Sequence, residues 1–369
     1  MSSNTELLSY LIVSGTCFTL WSLYRGSRRH RLPPGPKPLP ILGNIHDFPP
    51  PGELEGPHWA KHKALYGPIS AVQAFGTTFI IVNDTQTAVK LLDKKSSIYS
   101  ERPASVFGGE MCGFADVVSL QGTTEKWRNA RKRIHNYLGT RTAVSRFNHL
   151  IELEARRLTL RLLDSPGTFF EQIQAFAGST ILKLTFGYSA TSKGKDPLVI
   201  MGNKASNIFV NSVNNLWAVD VFPFLKYLPS WLPFMGFKTL AKENHDFVLM
   251  HLDLPVDFVK TEVNGTALAS FIGHELENVS SPAEELEVKW LGAALYGAGA
   301  DTTVTALESF VFGMALNPTI YRKVQMEVDS IVGHDRLPLL SDMPSLPYTE
   351  AVMKETLRFT TCHSRERYL

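Results

Sequence analysis

Cysteine is scarce. The 369 residues hold three, Cys17, Cys112 and Cys362. That is too few, and too scattered, for a disulfide framework or a zinc site, and such sparing use fits a reducing compartment. A dominant charge is lacking too: the formal net charge is +2, so there is no global electrostatic case for nucleic acid. Internal repeats, low-complexity tracts and long series of strands are missing, which excludes repeat arrays and all-β architectures. What remains is 44% hydrophobic and 20% charged, a globular composition with an ample core.

The little positive charge there is sits in one place. Leu7 to Tyr24 is an uncharged stretch rich in Leu, Ile, Val and aromatic residues, followed by Arg25, Arg28, Arg29 and Arg31. As a helix it would reach about 27 Å, close to a hydrocarbon core of roughly 30 Å. Arginines beside a span stay cytoplasmic. The pattern therefore predicts a single N-terminal membrane helix with the body of the protein in the cytosol. A cleaved signal peptide would carry its charge before the apolar run and small residues after it, and neither is present. Leu32-Pro33-Pro34-Gly35-Pro36 then reads as a stiff, extended spacer, because proline fixes φ and opposes helix.

Beyond the spacer, Phe79-Ile80-Ile81-Val82 between Gly76 and Asn83-Asp84 predicts a small sheet over residues 69–84. From about residue 123 onward the pattern is helical almost throughout. The predicted fold class is mainly α with a small β portion near the N-terminal end. From Trp217 to Phe237, six aromatic residues from Phe222 onward alternate with Pro223, Pro229 and Pro233. These turns either cap the core or offer an apolar surface.

Ser281-Pro282-Ala283-Glu284 is a strong helix start: a capping serine, proline in the first turn, glutamate three residues on. Nothing stops that helix before Asn317-Pro318, about 52 Å later. At its middle lies Ala298-Gly299-Ala300-Asp301-Thr302-Thr303, a poor helical sequence with an acid that is costly to bury. Either the helix ends at Gly299 and Asp301 caps another, or the irregularity marks a site. In the second case a small residue leaves room for a flat cofactor, a threonine hydroxyl bonds oxygen, and an acid relays protons. Trp127 and Arg131, one turn apart on a basic helix, can meet one anionic group. Glu355 and Arg358 share a helix face; taken alone they are a surface pair.

These elements, in this order, resemble the cytochrome P-450 family, microsomal and most like its fungal members. The series runs from a proline-rich hinge through W-x-x-x-R, A-G-x-D-T-T and E-x-x-R, with Ile98-Tyr99-Ser100-Glu101-Arg102-Pro103 and Asn317-Pro318 also of family type. The resemblance implies the cytochrome P-450 fold, incomplete at its C-terminus. It divides the chain into an anchor and basic segment (1–31), a hinge (32–52), a truncated catalytic domain (53–359) and a tail without family pattern (360–369). It implies a haem monooxygenase that inserts one atom of O2 into an apolar small molecule, using haem b and NADPH electrons from a reductase. Asp301 and Thr302 would be catalytic; Trp127, Arg131, Ala298 and Gly299 would bind the cofactor; Glu355 and Arg358 would form a structural motif. Arg128, Lys132 and Arg133 would face the reductase. The protein would sit on the endoplasmic reticulum membrane, with the lipid bilayer as a partner.

One family element is not found. The iron-ligand pattern F-x-x-G-x-R-x-C-x-G fits none of the three cysteines: around Cys362 its other positions fall on Glu355, Arg358, Thr360 and Ser364. The expectation is a truncated product with no metal ligand, inactive as written, and the alternative function is a ligand or partner binder without turnover. Haem held by propionate contacts alone would bind weakly.

Overall fold

The computed structural model describes residues 32–40, 42–50, 53, 55–191, 196–263 and 270–359. The chain forms two compact units, Met1–Tyr99 and Ser100–Leu369.

In the first unit, helix α1 (Glu55–Tyr66) precedes the antiparallel strands β1 (Ile69–Ala74) and β2 (Thr77–Val82). Their register runs from Ile69 opposite Val82 to Ala74 opposite Thr77. The two-residue turn Phe75-Gly76 has positive φ at both positions, +48° and +82°, the twist that two-residue hairpins favour. The proline segment is not a free spacer. The Ala71 N–H donates to the Pro34 carbonyl at 3.0 Å, and a Cβ on Gly35 would fall 1.9 Å from the Ala71 oxygen. Only glycine allows that approach.

The second unit is helical: α2 (Glu125–Leu138), α3 (Asn148–Asp164), α4 (Phe169–Phe186), α5 (Pro197–Asn214), α6 (Phe237–Val263), α7 (Phe271–Leu276), α8 (Pro282–Leu316), α9 (Pro318–Val332) and α10 (Pro347–Phe359). The long helix α8 runs unbroken between the predicted start and stop. The Ser281 hydroxyl caps it by accepting from the Glu284 N–H at 3.3 Å, and Glu284 reaches back to the Ser280 N–H at 2.7 Å. The irregularity expected near Gly299 to Thr302 is absent; the segment stays α-helical. Ala300 and Val304 are buried on one side, and the Thr302 hydroxyl bonds within the helix, to the Ala298 carbonyl at 2.6 Å.

The main core joins α8 to α4, α5, α6 and α7 through residues such as Leu182, Phe186, Val256, Phe271, Leu291 and Tyr296. Tyr296 is buried, its hydroxyl 3.2 Å from both the Val199 carbonyl and the Asn203 side-chain oxygen. Burial pushes its phenol pKa up. A second core gathers Phe107, Cys112, Phe114, Val248, Leu252 and Trp290.

The membrane helix expected over Leu7 to Tyr24 requires correction. Among the described residues no helix is long and apolar enough to cross a membrane, and residues 7–24 lie outside them. The apolar sequence of the longest described helix, α8, is interrupted by Glu, Lys, Asp, Gly and Thr. Among the described residues the mainly α fold with a small sheet therefore stands without a transmembrane helix. The bilayer partner and the single-pass placement in the endoplasmic reticulum are dropped with it.

His251, in α6, is buried with no hydrogen-bond partner for Nδ1. Pro255, one turn on in the same helix, has no N–H to offer the His251 carbonyl. Burial lowers the imidazole pKa from 6.5 to about 4. Between these values the unfolded chain binds a proton that the folded chain refuses, so stability falls as pH drops through that window. The expected loss from this group is about 2 kcal/mol between pH 7.5 and pH 5. Urea unfolding of wild type and His251→Leu at both pH values measures it; the variant should show a smaller acid loss by about that amount.

Candidate functional site

The middle of α8 presents different residues to different neighbours. Ala298 and Thr302, one turn apart, are exposed on one face, with Asp301 half-buried beside them. Gly299 faces elsewhere. A Cβ there would lie 2.7 Å from Cδ1 of Ile181 in α4, so its missing side chain makes room for a packing neighbour. The Thr305 hydroxyl donates back to the Asp301 carbonyl at 3.0 Å. Thr302 and Thr305 thus satisfy their hydroxyl protons within the helix.

Helix α2 is capped by Thr124, whose hydroxyl accepts from the Trp127 N–H at 3.2 Å. Ala130, Ile134, Tyr137 and Leu138 pack toward the main core, which turns Arg128, Arg131 and Lys132 outward. The Arg131 guanidinium lies 5.0 Å from the centre of the Trp127 ring, a cation–π contact that holds both side chains together. Arg133 does not share that outward face. It is ion-paired with Glu275 and lies 3.9 Å from Glu287, so it ties α2 to the helical pair behind it.

Glu355 and Arg358 form a two-pronged pair at 2.7 Å and 2.5 Å, with side-chain exposures of 57% and 73%. The Arg358 hydrogen bond holds the Glu355 carboxyl below the usual range. A pair this open to water adds little to stability.

The aromatic segment after Trp217 divides between its two readings. Trp217 stacks on Phe107 with centroids 3.7 Å apart, and Val219 belongs to the second core. Trp231 and Phe234 are 80% and 95% exposed. Sequence reasoning missed Asp220 here. One carboxylate oxygen accepts from the Val106 N–H at 2.6 Å and the Phe107 N–H at 3.0 Å, and Lys226 pairs with Glu110 at 2.5 Å. Together they clamp the turn at Val106–Met111 to the Trp217–Tyr227 turns. Partners more than a hundred residues apart leave no local signal.

The family pattern described as Cytochrome P450 matches residues 33–367, most of the chain. The protein belongs to the cytochrome P450 family. Similar proteins include the fungal cytochrome P450 monooxygenase claR of Ampulloclitocybe clavipes, 41% identical over 90% of this chain and 62% of that protein. Cytochrome P450 monooxygenase CLM2 of Gibberella zeae is 38% identical over 96% of this chain and 68% of its own length. The O-methylsterigmatocystin oxidoreductase of Aspergillus flavus is 32% identical over 96% and 68%. The chain thus spans about two thirds of the length of these cytochrome P450 relatives.

The described residues fit the cofactor of a cytochrome P450 in part. The Arg131 guanidinium beside Trp127 has the chemistry to meet an anionic group, and Ala298 and Thr302 are exposed on α8. An iron ligand is not among them. Cys112 is buried, its thiol pKa raised by burial, with Ser212 and Asn244 donating to the sulfur at 3.6 Å and 3.8 Å. Such a thiol stays protonated and inert. Cys17 and Cys362 lie outside the described residues.

The two glycines flanking Ala298 offer a test. Nothing lies within 4 Å of a Cβ on Gly297, so Gly297→Ala should stabilise α8 by about 0.5–1 kcal/mol. Gly299→Ala gains the same propensity but crowds Ile181, and should be about 1–3 kcal/mol less stable than Gly297→Ala. Denaturant unfolding of the two variants reads the difference.

Proposed function

We propose that this chain serves a haem-dependent monooxygenase, inserting one atom of O2 into an apolar small molecule with NADPH electrons relayed by a reductase. The observation that carries this reading is the open face of α8, where Ala298 and Thr302 stand one turn apart beside Asp301. Haem, when bound, would supply the iron that holds and activates O2.

The chain's own residues would do the rest. Arg131, braced by Trp127, would hold a propionate through charge-assisted hydrogen bonds. The Thr302 hydroxyl would rotate from the Ala298 carbonyl to hold its proton toward the exposed face of α8, giving up one modest hydrogen bond of about 1 kcal/mol. Asp301 would pass protons to that hydroxyl. Gly299 would serve indirectly, by letting α8 lie against α4. Glu355 and Arg358 would form the structural pair, and Arg128 and Lys132, without Arg133, would face the reductase.

A second reading, a binder of ligand or partner without turnover, is favoured for the 369-residue chain by the buried state of Cys112. The two are separated by titrating hemin into this chain and following its absorbance. Weak binding is expected, reduced about 10-fold by Arg131→Ala, the worth of one charge-assisted hydrogen bond, and blocked by Ala298→Trp. The reduced, carbon monoxide-treated sample should lack the long-wavelength band of thiolate ligation. Hemin binding indifferent to both variants would overturn the assignment of these residues. A thiolate band and product formation from a mass-verified chain would overturn the expectation that it does not turn over.

A further inference from the structure

Helix α10 carries Glu355 and Arg358 but is held by the rest of the fold chiefly near its start. Leu346 and Val352 are buried; of residues 353–358 all but Thr356 are exposed. The direction of the helix therefore depends on how its first turn is fixed.

Every backbone N–H of that turn has an acceptor. Pro347 has no N–H, and the Glu350 N–H donates to the Leu346 carbonyl at 3.0 Å. The two N–H groups left over, of Tyr348 and Thr349, donate to the two carboxylate oxygens of Glu327 at 2.8 Å and 2.7 Å. The Thr349 hydroxyl adds a third bond, also at 2.7 Å. Helix starts leave such donors unsatisfied, and a negative charge there also meets the positive end of the helix dipole. Here the cap comes from the neighbouring helix α9. Each carboxylate oxygen is matched to one backbone N–H, so both the tilt and the rotation of α10 are specified. Partial burial alone would push the Glu327 carboxyl pKa up; the bonds from Thr349 and Tyr348 outweigh that and hold it down.

We infer that Glu327 is the positioning residue for Glu355 and Arg358: its carboxylate, gripping the Tyr348 and Thr349 N–H groups, sets where the far end of α10 points. The lever is long. Glu355 and Arg358 lie roughly 12–16 Å along the axis from Pro347, so a tilt of about 10° at the cap moves them by about 2–3 Å. What the pair does rests on the function proposed above; its placement by Glu327 does not.

The experiment uses the 369-residue chain with spin labels on two exposed sites, Lys354→Cys in α10 and Gln325→Cys in α9. Cys17 and Cys362 are replaced by serine, and the buried Cys112 is kept. In Glu327→Ala the label-to-label distance distribution should broaden, and amide exchange over residues 348–358 should quicken roughly 10-fold. Exchange in α4 and α8 should stay within about twofold. Glu327→Gln retains one acceptor oxygen and should recover much of both signals, whereas Glu327→Leu, similar in bulk but without an acceptor, should behave like Glu327→Ala. Unchanged distances in Glu327→Ala would refute the inference, as would equal loss of protection in α4 and α8. Hemin titration of the same variants separates the two claims. A displaced α10 with unaltered hemin affinity would count against the role given to Glu355 and Arg358, and leave the positioning by Glu327 standing.

Discussion

Two helices lie close along a shared length only where one of them gives up side chains, and the second unit is arranged around such a surrender. On α8, Gly292 takes the ring of Phe186 and Gly299 takes Ile181; a Cβ at either would come within 3 Å of its neighbour. Tyr296, between them, projects from α8 over Gly202 of α5 and anchors its hydroxyl there. The glycines keep α8 against α4, and the tyrosine keeps it against α5. Close packing of this kind tolerates little change in volume. With α8 fixed on those sides, Ala298 and Thr302 remain exposed at its middle.

The ionic contacts follow the same logic on a smaller scale. Arg133 reaches Glu275 and Glu287, holding α2 to the elements behind it, while its neighbours Arg128, Arg131 and Lys132 remain outward. One basic helix therefore has two electrostatic jobs. The residue on the inner side is spent on the fold, and the outer ones are available to a partner or an anionic group.

Much of the architecture was legible because it is local. The start of α8 at Ser281-Pro282 and its end before Asn317-Pro318 are written in capping chemistry, and the hairpin is announced by Phe79-Ile80-Ile81-Val82 and Gly76. The pairing of Trp127 with Arg131 and of Glu355 with Arg358 follows from helical spacing alone. What was not legible is direction. The run Ala298-Gly299-Ala300 does not disclose that Gly299 turns toward Ile181 while Ala298 turns outward; that depends on where α4 lies. The use of Arg133 and the caps supplied by Asp220 and Glu327 are likewise contacts between distant segments. The expected irregularity near Asp301 failed for a related reason. Burial of Ala300 and Val304 outweighs weak helix propensity, which tertiary packing commonly overrides.

The clamp made by Asp220 has a bearing on how this protein can change over time. Its carboxylate grips main-chain N–H groups of Val106 and Phe107, which every residue except proline possesses. This part of the turn's anchoring therefore does not depend on which side chains those two residues carry. The exposed Glu110 can change at the cost of its pair with Lys226 while this contact persists, whereas Phe107, stacked on Trp217 in the second core, cannot change so freely. Variation is cheap at the one exposed position of this turn and costly at its buried ones, so any new surface chemistry here is confined to a single residue.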